Sequence, residues 1–371
     1  MIANKSLTRL TIISLCVAIG FCALYVSSPL STELTPSSFN RSFKNKNYLE
    51  YNSHIDLDNA FYYISGVDKN SIYLSNYKKP FTLVQIDHLL KQFKTIKLKT
   101  TRLDSIFEPR NFRTTIDSPN IFMTHGTMPI ILRGDLKNHT VSPFMSDKNI
   151  FFTEARPITD STFALLSYSA KSKALQLGFL DISSDTKLTF RYGLLKTKSD
   201  ETFSVYGTIL LSTDKNKIIY IYTYKNEILI ADTKLQNEYI LNTIDTFKTP
   251  PITVSKVSDK SKFMLSSPQI LVNGISCTSG DYIYIRSNLL AKNENKKNFI
   301  DNSTIDVYNV SSKKYEFSFY IPKHNSKEFI DYKIINEKIY ALYEDRMIKY
   351  QINDITLIKN QTSKQSSPKQ Q

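Results

Sequence analysis

The chain has 371 residues, 48 basic and 34 acidic, for a formal net charge of +14, and 41% of it is hydrophobic. Its nine glycines fall far below the usual share of roughly 7%, which excludes collagen-like or low-complexity chains and any fold leaning on glycine-rich phosphate loops. The hydrophobic share excludes global disorder, and the absence of tryptophan argues against propellers whose repeats are read through it, the WD type and the tryptophan-docked quinoprotein type.

Lys5 and Arg9 precede an uncharged, apolar stretch, and residues 10–28 would span about 28 Å as a helix, close to the hydrocarbon thickness of a bilayer. Residues 1–30 therefore read as a transmembrane signal anchor. A cleaved signal peptide is the alternative: Ser27 and Ser28 are small enough for a cleavage site, but Pro29 follows directly. The basic flank at Lys5 and Arg9 favours a cytoplasmic N-terminus and a body in the periplasm or extracytoplasmic space, or a secreted body if the segment is removed. Cys16 and Cys22 lie in the apolar stretch, which leaves Cys277 alone in the body, so no intrachain disulfide or cysteine metal site is expected. Residues 31–47 carry Ser, Thr, Pro and Arg and read as a tether.

From residue 48 onward, runs of Ile, Tyr, Phe, Leu and Val alternate with polar turns, which is strand composition. Six runs share one form: Ser71-Ile72-Tyr73-Leu74, Asn120-Ile121-Phe122-Met123, Thr162-Phe163-Ala164-Leu165, Lys217-Ile218-Ile219-Tyr220, Asp281-Tyr282-Ile283-Tyr284 and Lys338-Ile339-Tyr340-Ala341. Ile72 to Ile339 is 267 residues over five intervals, a mean of 53. A second run follows each, closed by Asp87, Asp135, Asp181, Asp232, Asn309 or Asn353, residue types that form turns. Further strand candidates flank most pairs. Four strands per unit, six times over, predicts an all-β, six-bladed β-propeller with four-stranded antiparallel blades over residues 48–358. A pair of β-sandwiches has similarly short strands but does not explain the ordered recurrence. Either Tyr48–Asn52 or Thr356–Lys359 would complete the last blade. Residues 359–371 are polar and read as a disordered tail.

On this repeat the chain resembles the broad TolB-like and NHL-like group of six-bladed propellers, especially exported ones behind a membrane segment. The resemblance covers nearly everything after residue 48 and rests on the repeat, with no motif of fixed residues. It implies a ligand face formed by the d-to-a and b-to-c loops, with the strands of each blade lettered a to d from the axis outward, and a channel lined by the a strands. The group includes scaffolds, polysaccharide-linked binding proteins, lactonases and quinone-dependent dehydrogenases, so the fold carries no activity with it.

On that face the expected basic rim is Lys256, Lys260, Lys262, Lys292, Lys296 and Lys297, suited to an anionic glycan, a lipid head group or an acidic partner surface. A lysine-rich chain also places lysine in every exposed loop, and that bland reading stands beside the functional one. Nucleic acid is not expected for an exported body. Channel candidates are Arg113, Glu154, Arg156, Gln269 and Asp331 on predicted a strands, together with His125 in the Thr124-His125-Gly126 turn; mutual pairing is the simpler role for such groups. No HExxH, GxSxG, Walker, GxGxxG or CxxC pattern occurs. No catalytic residue, metal or cofactor is therefore assigned. The expectation is a membrane-anchored, non-enzymatic propeller that binds an envelope protein partner or an anionic ligand. The alternatives are a hydrolase or dehydrogenase using the channel with a bound metal or quinone, and a structural subunit of an envelope complex.

Overall fold

A computed structural model of the chain describes residues 2–27, 37–100, 111–183, 185–195, 202–248, 254–256, 263–265 and 270–353. Helix Ile2–Ser27 contains an apolar window, Leu7–Leu24, with mean hydropathy 2.1 and no buried share, long and apolar enough to cross a membrane. Six antiparallel blades follow. Blade one runs Tyr62–Val67, Ser71–Asn76, Thr82–Asp87 and Phe93–Lys97 from a to d. Blade two runs Arg113–Asp117, Asn120–His125, Ile130–Asp135 and Thr140–Ser146, with Lys99–Thr100 added in parallel at its edge. Blades three and four begin at Glu154–Pro157 and Gly207–Leu211, and blade five at Asn273–Ser279. Blade six takes Asp331–Ile335, Lys338–Leu342 and Arg346–Ile352 from the C-terminal end and Leu49–Asp56 as its outer strand. The Leu49–Ile352 to Asp56–Arg346 register decides how the ring closes, in favour of the N-terminal strand.

Each of the six repeated runs is a b strand, apolar on both faces because a blade is sandwiched between two neighbours: Ile72, Tyr73 and Leu74 are all buried. The core is accordingly divided into six layers. Separate apolar clusters join blades one to two, two to three, and so on round to six and one, the last packing Tyr340, Leu342 and Met347 against Ile64 and Leu74. The residues that close the c strands act as turn formers. Asp87 accepts the N–H groups of Leu89, Lys91 and Gln92; Asp232 accepts those of Lys234 and Gln236; Asn309 accepts that of Ser312. Low glycine content has a visible consequence here: Leu90, Lys173, Lys215, Lys313 and Glu337 hold left-handed backbone that glycine commonly supplies.

The stretch read as a tether differs in its second half. Residues 37–48 cross the outer edge of blade five as a packed strap. Ser37 N–H donates to the Leu290 carbonyl at 2.7 Å, Phe39 is buried against Val272, Leu289 and Ala291, and Phe43 bridges to Ser318 and stacks on Tyr320. Tyr48 enters the core between blades five and six. Between these apolar anchors lies Arg41, whose side chain is 0% exposed, as is that of Glu294. Its Nε and Nη2 form a fork on Asp306 at 2.8 and 3.1 Å. Its Nη1 reaches Glu294 at 2.5 Å and the Leu289 carbonyl at 2.9 Å, and Nη2 also reaches Ser287 at 2.7 Å. Burial works against the charge, but Asp306 and Glu294 outweigh it and hold the guanidinium more firmly protonated than in water. Glu294 is satisfied in turn by Thr304, Tyr320 and the Ala291 N–H.

Candidate functional site

In antiparallel blades the b-to-c and d-to-a connections emerge on one side of the ring and the a-to-b and c-to-d connections on the other. The two sides differ in composition. Exposed large apolar side chains on the b-to-c and d-to-a side include Phe61, Tyr77, Phe151, Tyr192, Tyr206 and Ile300. Among the described residues, the opposite connections expose Leu89 in this class, and Phe93 is exposed at the adjoining start of its d strand. Singly exposed apolar groups need no explanation, but a concentration of aromatics on one side does.

The inner strands bring four of the channel candidates to this mouth, and in doing so show what two of them are used for. Asp331 at the start of blade six accepts the Ile64 N–H of blade one at 2.9 Å and the N–H of Tyr332 at 2.8 Å. Glu154 of blade three accepts the Ile209 N–H and the Thr208 hydroxyl of blade four at 3.0 and 3.2 Å, and pairs with Arg156 at 2.7 Å. Arg156 Nε also donates to the Ile209 carbonyl. Tyr63 accepts the Thr114 N–H of blade two, and Thr278 of blade five donates to the Leu211 carbonyl of blade four. These bonds stitch neighbouring blades together at the axis, because an inner strand has no sheet partner on its axial edge and uses side chains to reach the next blade.

Arg113 differs from the others. Its guanidinium makes no hydrogen bond or ion pair among the described residues; instead it lies over Tyr77 at 3.9 Å and within 5.5 Å of Tyr63, two rings 4.6 Å apart. Burial pushes the Tyr77 hydroxyl up, Arg113 and Arg156 pull it back, and Tyr63 and Asp331 add to the rise. Blades six, one, two and three thus meet electrically at this point. Burial likewise lifts the Asp331 carboxyl above the ordinary range, against the pull of Lys333, its two N–H donors and Arg156. The result is a mouth with an exposed cation over aromatic rings, suited to a carboxylate or phosphate carried on an apolar or ring-shaped body.

His125 does not join this group. It is 2% exposed at the end of its b strand, edge-on to Phe112 at 5.1 Å, and its Nδ1 accepts the Met128 N–H at 3.0 Å. Burial holds its pKa below the usual value. Its place in a tight, buried turn explains the difference from the expectation of a channel residue. His324 sits beside Tyr343 and Asp345 on blade six. Among the described residues no three His, Cys, Asp or Glu side chains gather as a metal-binding group would. Of the basic rim, Lys292, Lys296 and Lys297 are exposed on the blade-five b-to-c connection, where Asn295 caps the short helix Lys296–Asp301. Lys256 lies in a small hairpin, Val254–Lys256 with Phe263–Leu265, while Lys260, Lys262 and Gln269 lie outside the described residues, as do Thr356–Lys359 and the polar tail. Sequence reading missed Tyr63 and Tyr77; the alternation of Phe61, Tyr63 and the b-strand end at Tyr77 was the available signal.

No protein-family model and no curated relative matches the sequence. Solved structures do. A member of the DUF4221 family from Bacteroides vulgatus is 14% identical, with a TM-score of 0.53 over 83% of this chain and 98% of that one. Streptogramin B lyase is 10% identical with a TM-score of 0.48, and YCF48 bound to a D1 peptide is 8% identical with a TM-score of 0.45. The likeness is one of fold, and it does not separate TolB-like or NHL-like propellers from others.

Proposed function

We propose that the chain is a membrane-anchored, non-enzymatic propeller that binds a protein partner or an anionic ligand on its loop-rich face, with the ring on the exported side. The observation that carries this reading is the set of exposed aromatics on the b-to-c and d-to-a connections, together with the Arg113 guanidinium, which lies over Tyr77 and has no hydrogen bond or ion pair among the described residues. Glu154, Arg156 and Asp331 on the inner strands are engaged in joining blades, which supports a rigid presenting ring over a reacting centre. Lys5 and Arg9 at the N-terminal end of the apolar helix support the orientation.

Placing a photo-crosslinking amino acid at Tyr77, Phe151 or Leu89 in the full chain in its native membrane tests this reading. A discrete adduct from Tyr77 and Phe151, absent from Leu89 and lost on Arg113→Ala, is the expected outcome. Equal labelling from all three positions, or none from the loop-rich face, would count against it.

A further inference from the structure

We infer that the blade-five sector of the loop-rich face docks on the anionic headgroup surface of the bilayer that holds the N-terminal helix. This rests on the anchored reading above. Ser27 ends the helix and Ser37 is already fixed to Leu290, ten residues later (37 − 27). Ten residues reach at most about 36 Å when fully extended. The strap is not free to pay out more chain, because Phe39 is buried and Arg41 is held by two buried carboxylates. The b-to-c connection of blade five is therefore confined within about 36 Å of the helix end at Ser27.

The groups at that place suit such a surface. Lys248, Lys292, Lys296 and Lys297 are exposed there, and none of them is ion-paired among the described residues. Glu294, Asp306 and Asp245 are buried, which leaves Asp301 as the exposed acid of the short helix. Ile300 is exposed on the same short helix, and Ile270 and Leu271 on the neighbouring connection. Lysines over apolar tips are the combination that an anionic interface takes up, each lysine adding about fivefold to partitioning (~1 kcal/mol). Blade five lies across the ring from blade two, so docking there leaves Arg113 and Tyr77 at the free side of the mouth.

The test uses the full chain with Cys16→Ser and Cys22→Ser, carrying an environment-sensitive fluorophore at Ile300→Cys or, as control, Leu89→Cys. The chain is reconstituted in vesicles of phosphatidylcholine alone or with phosphatidylglycerol, and lipid-borne quenchers report contact. Quenching at position 300 in anionic vesicles only, absent at 89, is expected. It should fall at least tenfold in population with Lys292→Gln, Lys296→Gln and Lys297→Gln together. Equal quenching at both positions, or quenching indifferent to the three lysines, overturns the docking. Alkaline extraction separates the failures: a chain retained in the membrane but unquenched at 300 loses the docking alone, whereas a chain released by alkali loses the anchor and the docking together.

Discussion

Replacing Arg41 with methionine removes the charge that neutralises Glu294 and Asp306 while keeping most of the side-chain volume. Glu294 has 0% side-chain exposure and Asp306 has 5%, so neither carboxylate gains water when the guanidinium leaves. Five polar contacts disappear, and two buried anions remain in one site. Breaking a buried pair by removing one partner costs about 3–5 kcal/mol, and this arrangement leaves two such anions, so Arg41→Met belongs at the upper end of that range. Arg41→Lys retains the charge but not the fork on Asp306 together with the reach to Glu294, and should recover less than half of the loss. Urea unfolding followed by tyrosine fluorescence measures this, since the chain has 23 tyrosines and no tryptophan to obscure them. The decisive comparison is Arg41→Met against Arg41→Met, Glu294→Gln, Asp306→Asn. Neutralising the stranded carboxylates should restore most of the stability. If Arg41→Met costs under about 1 kcal/mol, or the triple variant is no more stable than the single one, the buried-charge reasoning is wrong.

Three further outcomes follow from the ring. Because burial raises the folded-state pKa of Asp331 above its unfolded value of about 3.9, its contribution is greatest below that value and is lost as pH rises through the folded one. Asp331→Asn should therefore flatten the fall in urea midpoint above pH 4 while keeping an oxygen for the Ile64 N–H, and an unchanged slope would refute the assignment. A Cβ at Gly126 would lie 1.7 Å from the Phe152 carbonyl in the connection to the next blade, so Gly126→Ala should destabilise by about 1–3 kcal/mol, read as a lowered melting temperature. Lys173 is exposed with φ of 50°; Lys173→Gly should be neutral or stabilising by up to ~1 kcal/mol, and Lys173→Val destabilising by at least as much, in the same melting assay.

The blades were legible in the sequence because a strand buried on both faces writes a continuous apolar run, as in Ile218-Ile219-Tyr220, and because c strands end on residues that accept turn N–H groups. The strap was not. Phe39, Arg41 and Phe43 alternate as a strand does, but Arg41 meets Asp306 and Glu294 from 265 and 253 residues away, and nothing local marks a charge whose partners are so distant. The mouth was half legible: Arg113, Glu154, Arg156 and Asp331 fall on inner strands as expected, whereas the stitching roles depend on which backbone N–H the neighbouring blade leaves unpaired. His125 shows the same limit, since a turn histidine reads alike whether it faces a channel or a phenylalanine ring.

The strand that closes the ring is the first one made. Leu49 pairs with Ile352, 303 residues later (352 − 49), and at about 5–20 residues per second a ribosome needs roughly 15–60 s to supply that partner. For that interval Leu49–Asp56 is an open edge able to template other chains. Its sequence, LEYNSHID, exposes Glu50, Tyr51, Asn52, His54 and Asp56, a largely polar cover that suits a strand obliged to wait for the far end of its own chain.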